Sequence, residues 1–378
     1  MFRLLFAALL LIVTGAAAVR ADTPIPTPPD VDARAYIVID FHTDKVLAAK
    51  DAVARLEPAS LTKLMTAYIV FEQLSVGKLK LDEPVTVSEH AWRSEGSRSF
   101  IELGKPVPVE TLILGMVVQS GNDATIALAE RIGGTEDTFA QLMNSTAQRL
   151  GMVGTHFANS SGLPAPEHYT TARDLSLLAT ALIRDFPQYY KWFSVREFEY
   201  NGIKQQNRNG LLDKDSSVDG LKTGHTDSAG YCLVTSAQRD GMRLISVVLG
   251  SSSFKGRENA SGALLNYGFT FYETPLVAKA GAKLASTPVW KAETTPLDLG
   301  IKRNLYVTVP RGTAGAIKTT VQLQPRLIAP LTTDTVVGQF VVGNASQTLA
   351  TVPLHPLAND AAGGWWRRLI DTIRLWFA

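Results

Sequence analysis

Beyond the N-terminal segment, apolar residues gather in two short runs, at 36–40 and 45–49, broken by the polar pair Thr43-Asp44. This pattern predicts a β-hairpin. Helical spacing follows at 61–74, 111–118, 123–132 and 174–185. Strand-like runs return at 230–237 and 242–249, on either side of Asp240-Gly241. That dipeptide tolerates the positive φ of a two-residue hairpin turn, so the two runs are expected to pair. Residues 257–271 then read as a helix packed on those strands. Strand, helices, strands and helix in that order describe a mixed α/β (α+β) domain whose sheet draws on both ends of its sequence.

The texture changes after Thr274-Pro275. Leu305, Val307 and Val309 alternate with polar residues, as do Val321 and Leu323, and Val336, Val337, Phe340 and Val341 continue the β character. Residues 275–362 are therefore read as a small all-β domain. Gly363-Gly364 then introduces a segment with Trp365, Trp366, Leu369, Ile370, Ile373, Trp376 and Phe377 on one helical face. Arg367, Arg368, Asp371 and Arg374 take the other face. Fourteen helical residues reach about 21 Å, short of a hydrocarbon core of about 30 Å. Aromatics opposite arginines suit a membrane interface, so residues 363–378 are expected to form an amphipathic anchor rather than a helix docked on the protein's own core.

At the other end, Arg3 precedes an apolar run that gives way to small residues through Ala21. This is the pattern of a cleavable export signal over residues 1–21, cut after Ala21 or, alternatively, after Ala18. Pro24, Pro26, Pro28 and Pro29 then make an extended leader to the first domain, residues 22–274.

The 378 residues are 46% hydrophobic with a net charge of +2, which excludes a disordered chain and a strongly basic nucleic-acid binder. Arg3 and Arg20, with no acid in residues 1–21, account for that excess. The single cysteine, Cys232, excludes an intrachain disulfide and a multi-thiolate metal site. No H-E-x-x-H, G-x-S-x-G or phosphate-binding glycine loop is present, which leaves serines and lysines to carry chemistry.

Ser60 lies in Pro58-Ala59-Ser60-Leu61-Thr62-Lys63-Leu64-Met65-Thr66, at the expected start of a helix, with Lys63 one turn on and on the same face. An amine there can deprotonate a serine if it is neutral. Lowering a lysine by three units from its usual pKa near 10.4 costs about 4 kcal/mol. Burial, a second cation and the positive helix N-terminus all act in that direction. Ser75–Lys78 and Ser252–Lys255 repeat the spacing and are read as coincidental; taken alone, Ser60 reads as a helix cap. Ser120-Gly121-Asn122 falls between two apolar helices, where a polar turn is the plain reading. Lys222-Thr223-Gly224-His225 precedes the strand hairpin. On an edge strand its lysine and hydroxyl would bind a carboxylate, and Gly224 would let the backbone approach closely.

S-x-x-K, S-x-N and K-T-G in this order form the signature of the active-site serine penicillin-recognising enzymes. Three longer segments extend the likeness: Asn207-Arg208-Asn209-Gly210-Leu211-Leu212, Val218-Asp219-Gly220-Leu221 running into Lys222, and Phe254-Lys255-Gly256-Arg257-Glu258. With them the chain resembles the low-molecular-mass penicillin-binding proteins, the serine-type D-alanyl-D-alanine carboxypeptidases, including the β-domain and tail of their Gram-negative members. The resemblance implies an antiparallel sheet flanked by helices plus a helical subdomain, then a β stalk. It implies Ser60 as acyl-enzyme nucleophile, Lys63 as its base, and Ser120 with Lys222 as the opposite wall that relays a proton to the leaving D-alanine. Asn122 would hold the substrate backbone. The N–H groups of Ser60 and His225 would form the oxyanion hole. Thr223 and Arg257, with Arg208 nearby, would hold the terminal carboxylate, and Gly224 would admit the substrate strand. The implied substrates are peptidoglycan stem peptides ending in D-Ala-D-Ala, with β-lactams as acylating inhibitors. No metal or organic cofactor is implied, and the implied place is the periplasmic face of a bacterial inner membrane.

Two alternatives share parts of this pattern. A class A β-lactamase uses S-D-N and a glutamate-bearing loop; here Gly121 holds the middle position, and Thr171 stands where Glu-x-x-x-Asn would need asparagine after Glu167. A non-catalytic peptidoglycan-binding scaffold would have no use for intact Ser60, Lys63, Ser120 and Lys222.

Overall fold

The computed structural model describes residues 25–377. The reading of residues 1–21 as an export signal lies outside the described residues.

The N-terminal domain is organised on one antiparallel sheet of five strands: β1 (Ala35–Asp40), β2 (Val46–Lys50), β3 (Val218–Thr226), β4 (Gly230–Arg239) and β5 (Met242–Ser251). Their spatial order is β2-β1-β5-β4-β3, so both ends of the domain's sequence meet at the β1–β5 pair, with Ile37 opposite Val247. The β4–β5 turn places Asp240 at φ 49° and Gly241 at φ 82°, as the dipeptide predicts. Both faces of the sheet are covered. Ile37, Ile39, Ile245 and Val247 face one apolar core, and Tyr36, Val38, Leu244 and Val248 face a second. This two-residue alternation explains why β1 is buried along its whole length.

There are six principal helices: α1 (Lys63–Ser75), α2 (Val109–Leu114), α3 (Asn122–Gly133), α4 (Glu136–Arg149), α5 (Ala172–Asp185) and α6 (Phe254–Phe271). Helices α5 and α6 pack on the sheet, and α1 joins α5 to a helical group formed with α3 and α4. Leu64, Met65, Ala67, Ile69, Val70 and Phe71 are all buried, so α1 has no polar face and runs through the larger core. Its first residue, Lys63, goes in with it. Three of these helices start where a hydroxyl satisfies a free N–H group: Thr135, Thr171 and Ser253 cap α4, α5 and α6. Helix α6 begins at Phe254, three residues earlier than periodicity suggests, because Ser253 supplies this cap.

The C-terminal region has a second five-stranded antiparallel sheet, formed by β6 (Ala285–Thr287), β7 (Leu297–Gly300), β8 (Lys318–Leu323), β9 (Gly338–Gly343) and β10 (Thr348–Pro356). Its order is β6-β7-β10-β9-β8, and its own core includes Leu299, Val337, Phe340, Val342 and Leu354. Asp40, fully buried at the end of β1, ties the two regions together. Its carboxylate accepts hydrogen bonds from His42 N, Thr43 N, Thr43 Oγ1 and Thr274 Oγ1 at 2.7–3.0 Å. Lys45 Nζ donates across the junction to the Thr308 carbonyl at 3.0 Å.

Helix α7 (Trp365–Leu375) closes the described chain. Its charged side turns inward at one point, where the buried Asp371 carboxylate accepts from Lys291 N at 2.7 Å. The apolar face points out: Trp366 is 68% and Trp376 79% exposed. Among the described residues no helix is long and apolar enough to cross a membrane.

Candidate active site

Ser60 does not begin α1 directly. It lies in a 3-10 turn, Ala59–Thr62, that leads into the helix and holds Ala59 at φ 46°. A non-glycine residue in this left-handed region needs outside support. Gly162, at φ 89°, packs so tightly on the Ala59 carbonyl that a Cβ at 162 would overlap it. On the other side, a Cβ on Gly224 of β3 would come within 3.0 Å of the Pro58 carbonyl and 3.2 Å of Leu61 N. Two glycines therefore allow the serine turn to be gripped by backbone.

Lys63 is the centre of the site. It is 1% exposed, and Nζ lies 3.0 Å from Ser60 Oγ, 2.7 Å from Asn122 Oδ1 and 2.6 Å from the Ser161 carbonyl. Burial, aided by the Arg208 charge, pulls its pKa down to about 7 against the opposing pull of Asp123 and Glu136. Lys222 is also buried, on β3, with Nζ donating to the Thr223 carbonyl at 3.0 Å. Burial first, then the Lys63, Arg208 and Arg257 charges, hold it well below the ordinary lysine range.

The S-x-N segment forms the facing wall. Helix α2 continues through a π-helical turn, Gly115–Gln119, and Ser120 leaves it at φ 68°. Ser120 Oγ is buried and has no hydrogen-bond partner among the described residues. Asn122 opens α3 with both ends of its amide engaged: Oδ1 receives Lys63, and Nδ2 donates to the Glu95 carbonyl at 2.6 Å. Its amide thus bridges Lys63 and the 95–101 loop at the edge of the cleft.

Ser60, Ser120, Asn122, Thr223, Gly224 and His225 line one cleft of about 280 Å³, with the Lys63 and Lys222 side chains buried behind that lining. Arg208 and Arg257 line it too. The Arg257 guanidinium is buried, donates to the Gly224 carbonyl at 3.1 Å, and stands over the rings of Phe254 and Tyr231. Burial brings its pKa down to about 10, which still leaves it charged near neutrality. His225 turns its ring outward against Tyr231, with centroids 4.0 Å apart. The lining includes no carboxylate, and Glu167 lies outside it.

Three contributors were not foreseen from the sequence. Ser161 supplies the carbonyl that holds Lys63, and the 95–101 loop supplies Gly96 and Ser97 to the cleft wall. Asp123 fixes that loop by accepting from Ser99 N at 2.8 Å and Ile101 N at 3.3 Å. An acid in the first turn of α3 was the available signal for it.

A serine paired with a buried lysine, facing the edge strand of a helix-covered antiparallel sheet, defines a serine hydrolase of the penicillin-recognising class. Residues 22–253 match the family model described as D-alanyl-D-alanine carboxypeptidase, and residues 272–360 match that of the penicillin-binding protein 5 C-terminal domain. The chain belongs to this family of serine-type D-alanyl-D-alanine carboxypeptidases, as its motifs led us to expect. It is 44% identical over 363 residues to D-alanyl-D-alanine carboxypeptidase DacA of Escherichia coli (strain K12), covering 94% of this chain and 90% of that one. It superposes on penicillin-binding protein 5 from Haemophilus influenzae with a TM-score of 0.83 at 38% identity, covering 89% and 99% of the two chains. Penicillin-binding protein D2 from Listeria monocytogenes, solved in an ampicillin-bound form, matches with a TM-score of 0.59 at 33% identity, covering 64% of this chain and all of that one. The class A β-lactamase reading is not favoured.

Proposed function

We propose that this enzyme removes the terminal D-alanine from peptidoglycan stem peptides through an acyl-enzyme on Ser60. The observation that carries the assignment is the surroundings of Lys63 Nζ. Two of its three neighbours, Asn122 Oδ1 and the Ser161 carbonyl, can only accept hydrogen bonds. A neutral amine spends both its N–H groups on them and turns its lone pair to the Ser60 hydroxyl.

Ser60 Oγ attacks the carbonyl of the penultimate D-alanine and passes its proton to Lys63. The N–H groups of Ser60 and His225 receive the oxyanion. The peptide C–N bond then breaks as the proton held by Lys63 is relayed through the Ser120–Lys222 side to the leaving amine, which returns Lys63 to its neutral form. Water adds to the ester, its proton passes to Lys63, and collapse frees the shortened peptide while Ser60 recovers its hydrogen. Thr223, Arg257 and Arg208 bind the free C-terminal carboxylate, which makes the enzyme an exopeptidase. Gly224 lets the peptide lie against β3, and Asn122 orients both Lys63 and the substrate. A β-lactam acylates the same serine.

The outward aromatic face of α7 supports peripheral attachment to a membrane through residues 363–378. The β region, residues 275–362, then stands between that surface and the catalytic domain, residues 22–274. The signal-like residues 1–21 support export, which puts the enzyme on the periplasmic face of the inner membrane.

Labelled penicillin and a peptide ending in D-Ala-D-Ala test the chemistry. The parent protein is expected to take the label and release D-alanine, and Ser60→Ala to do neither. A labelled Ser60→Ala protein would overturn the assignment. For attachment, removal of residues 363–378 should leave peptide cleavage intact and release the protein from anionic vesicles; continued sedimentation with them would refute the anchor.

A further inference from the structure

The serine turn has a brace outside the cleft. His168 is buried, and among the described residues its ring hydrogen-bonds with Ala158 N and Thr62 Oγ1, neither of which lines the cleft. Its Nδ1 accepts a hydrogen bond from Ala158 N at 3.0 Å, and its Nε2 lies 2.8 Å from Thr62 Oγ1. The Thr62 hydroxyl gives its only hydrogen to the Ala59 carbonyl, 2.8 Å away. The roles are therefore fixed in sequence. Ala158 N–H donates to Nδ1, Nε2–H donates to Thr62 Oγ1, and Thr62 O–H donates to Ala59 O. Only the neutral ring carrying its hydrogen on Nε2 completes this chain. The protonated ring would aim a second N–H at the Ala158 N–H.

The chain ends on the one non-glycine residue of the serine turn that has positive φ. Ala59 immediately precedes Ser60, so rotation of its peptide would swing Oγ away from Lys63 Nζ. The same segment is secured beside the turn by a bridge in which Leu56 and Thr170 exchange backbone hydrogen bonds at 2.8 Å. His168 is thus held by its own segment while it reaches the turn.

We infer that His168 is a positioning residue for the nucleophile: through Thr62 it clamps the Ala59 carbonyl and so fixes the left-handed turn that points Ser60 at Lys63. This role rests on Ser60 being the nucleophile. It specifies what the site asks of position 168, a neutral side chain that accepts on one end and donates on the other. Glutamine has the same two functions; leucine has neither.

The test separates binding from acylation by rapid-mixing measurement of penicillin labelling in the full chain, giving the pre-covalent dissociation constant and the limiting acylation rate. A misplaced nucleophile costs rate, and about 10- to 100-fold is expected for His168→Leu, with the dissociation constant held within about twofold. His168→Gln should recover most of the rate. Thr62→Val should lose as much as His168→Leu, and the double variant should be no slower than the slower single one, because both cut the same chain. Acylation by His168→Leu or Thr62→Val at the parental rate overturns the proposal, as do losses that multiply in the double variant. If His168→Leu fails to fold, Thr62→Val and His168→Gln decide the matter by the same criteria. Ser60→Ala runs alongside: if it is still labelled, the nucleophile assignment itself falls, whereas an unlabelled Ser60→Ala with parental rates for the other variants defeats the brace alone.

Discussion

Lys63 Nζ lies closer to Asn122 Oδ1, at 2.7 Å, than to Ser60 Oγ, at 3.0 Å. The proposed base is thus held mainly by a group outside the proposed proton transfer, and the serine receives what remains of its bonding capacity. Asn122 and the Ser161 carbonyl fix where the lone pair points, and burial fixes when it is free.

The timing gives a pH dependence. Burial pulls Lys63 down to about 7, and in the proposed reaction only its neutral form can accept the serine proton. Acylation by penicillin should therefore be near its plateau above pH 8 and fall about tenfold per unit below pH 6. Labelling rates from pH 5 to 9 check this; a flat profile across that range would show that Lys63 is not the base.

Asn122→Asp places an anion where the amide oxygen now sits. An opposite charge at this distance favours the ammonium, so the acid limb should move upward by at least about one pH unit. Activity lost at pH 7 should return in part at pH 9. The pH profile of the purified variant, compared with that of Asn122→Ala, distinguishes this from simple loss of packing.

Arg257 is charged at neutrality and buried against the Gly224 carbonyl. Arg257→Gln should raise KM for a free-acid D-Ala-D-Ala peptide, with kcat/KM falling about 10- to 100-fold for the lost charged hydrogen bonds. The corresponding C-terminal amide, expected to be the poorer substrate of the parent enzyme, should lose far less. Equal losses for acid and amide would remove Arg257 from carboxylate recognition.

Gly162→Ala addresses the grip on the serine turn. The position has φ 89° and no room for a Cβ beside the Ala59 carbonyl. The variant should lose at least about 2 kcal/mol of stability and label slowly even where it remains folded. Denaturant unfolding and labelling on the same sample measure both effects.

Much of this was legible from one dimension. The β4–β5 hairpin followed from Asp240-Gly241, and the three motifs named the cleft because each holds side chains close together in sequence. Lys63 could be expected to be depressed, since the eight other residues of its segment are all apolar or hydroxylated. The 3-10 turn before α1 escaped because Ser60-Leu61-Thr62 fits a regular helix equally well; its departure is imposed by Gly162, about a hundred residues away. Ser161 contributes through its carbonyl, an atom every residue has, so no side-chain pattern marks it. Likewise Asp371 is placed correctly by periodicity on the charged face, but only the Lys291 backbone makes that position an internal peg.

The cleft is lined by arginines and carries no carboxylate, in a protein whose charges otherwise nearly balance. Its field therefore acts on any small anion, not on peptide alone. Mobile ions compete for Arg208 and Arg257, so capture of a peptide acid should weaken with ionic strength, and sulfate or phosphate should behave as weak competitive inhibitors. The choice of buffer salt thereby becomes a variable of the enzyme's apparent affinity.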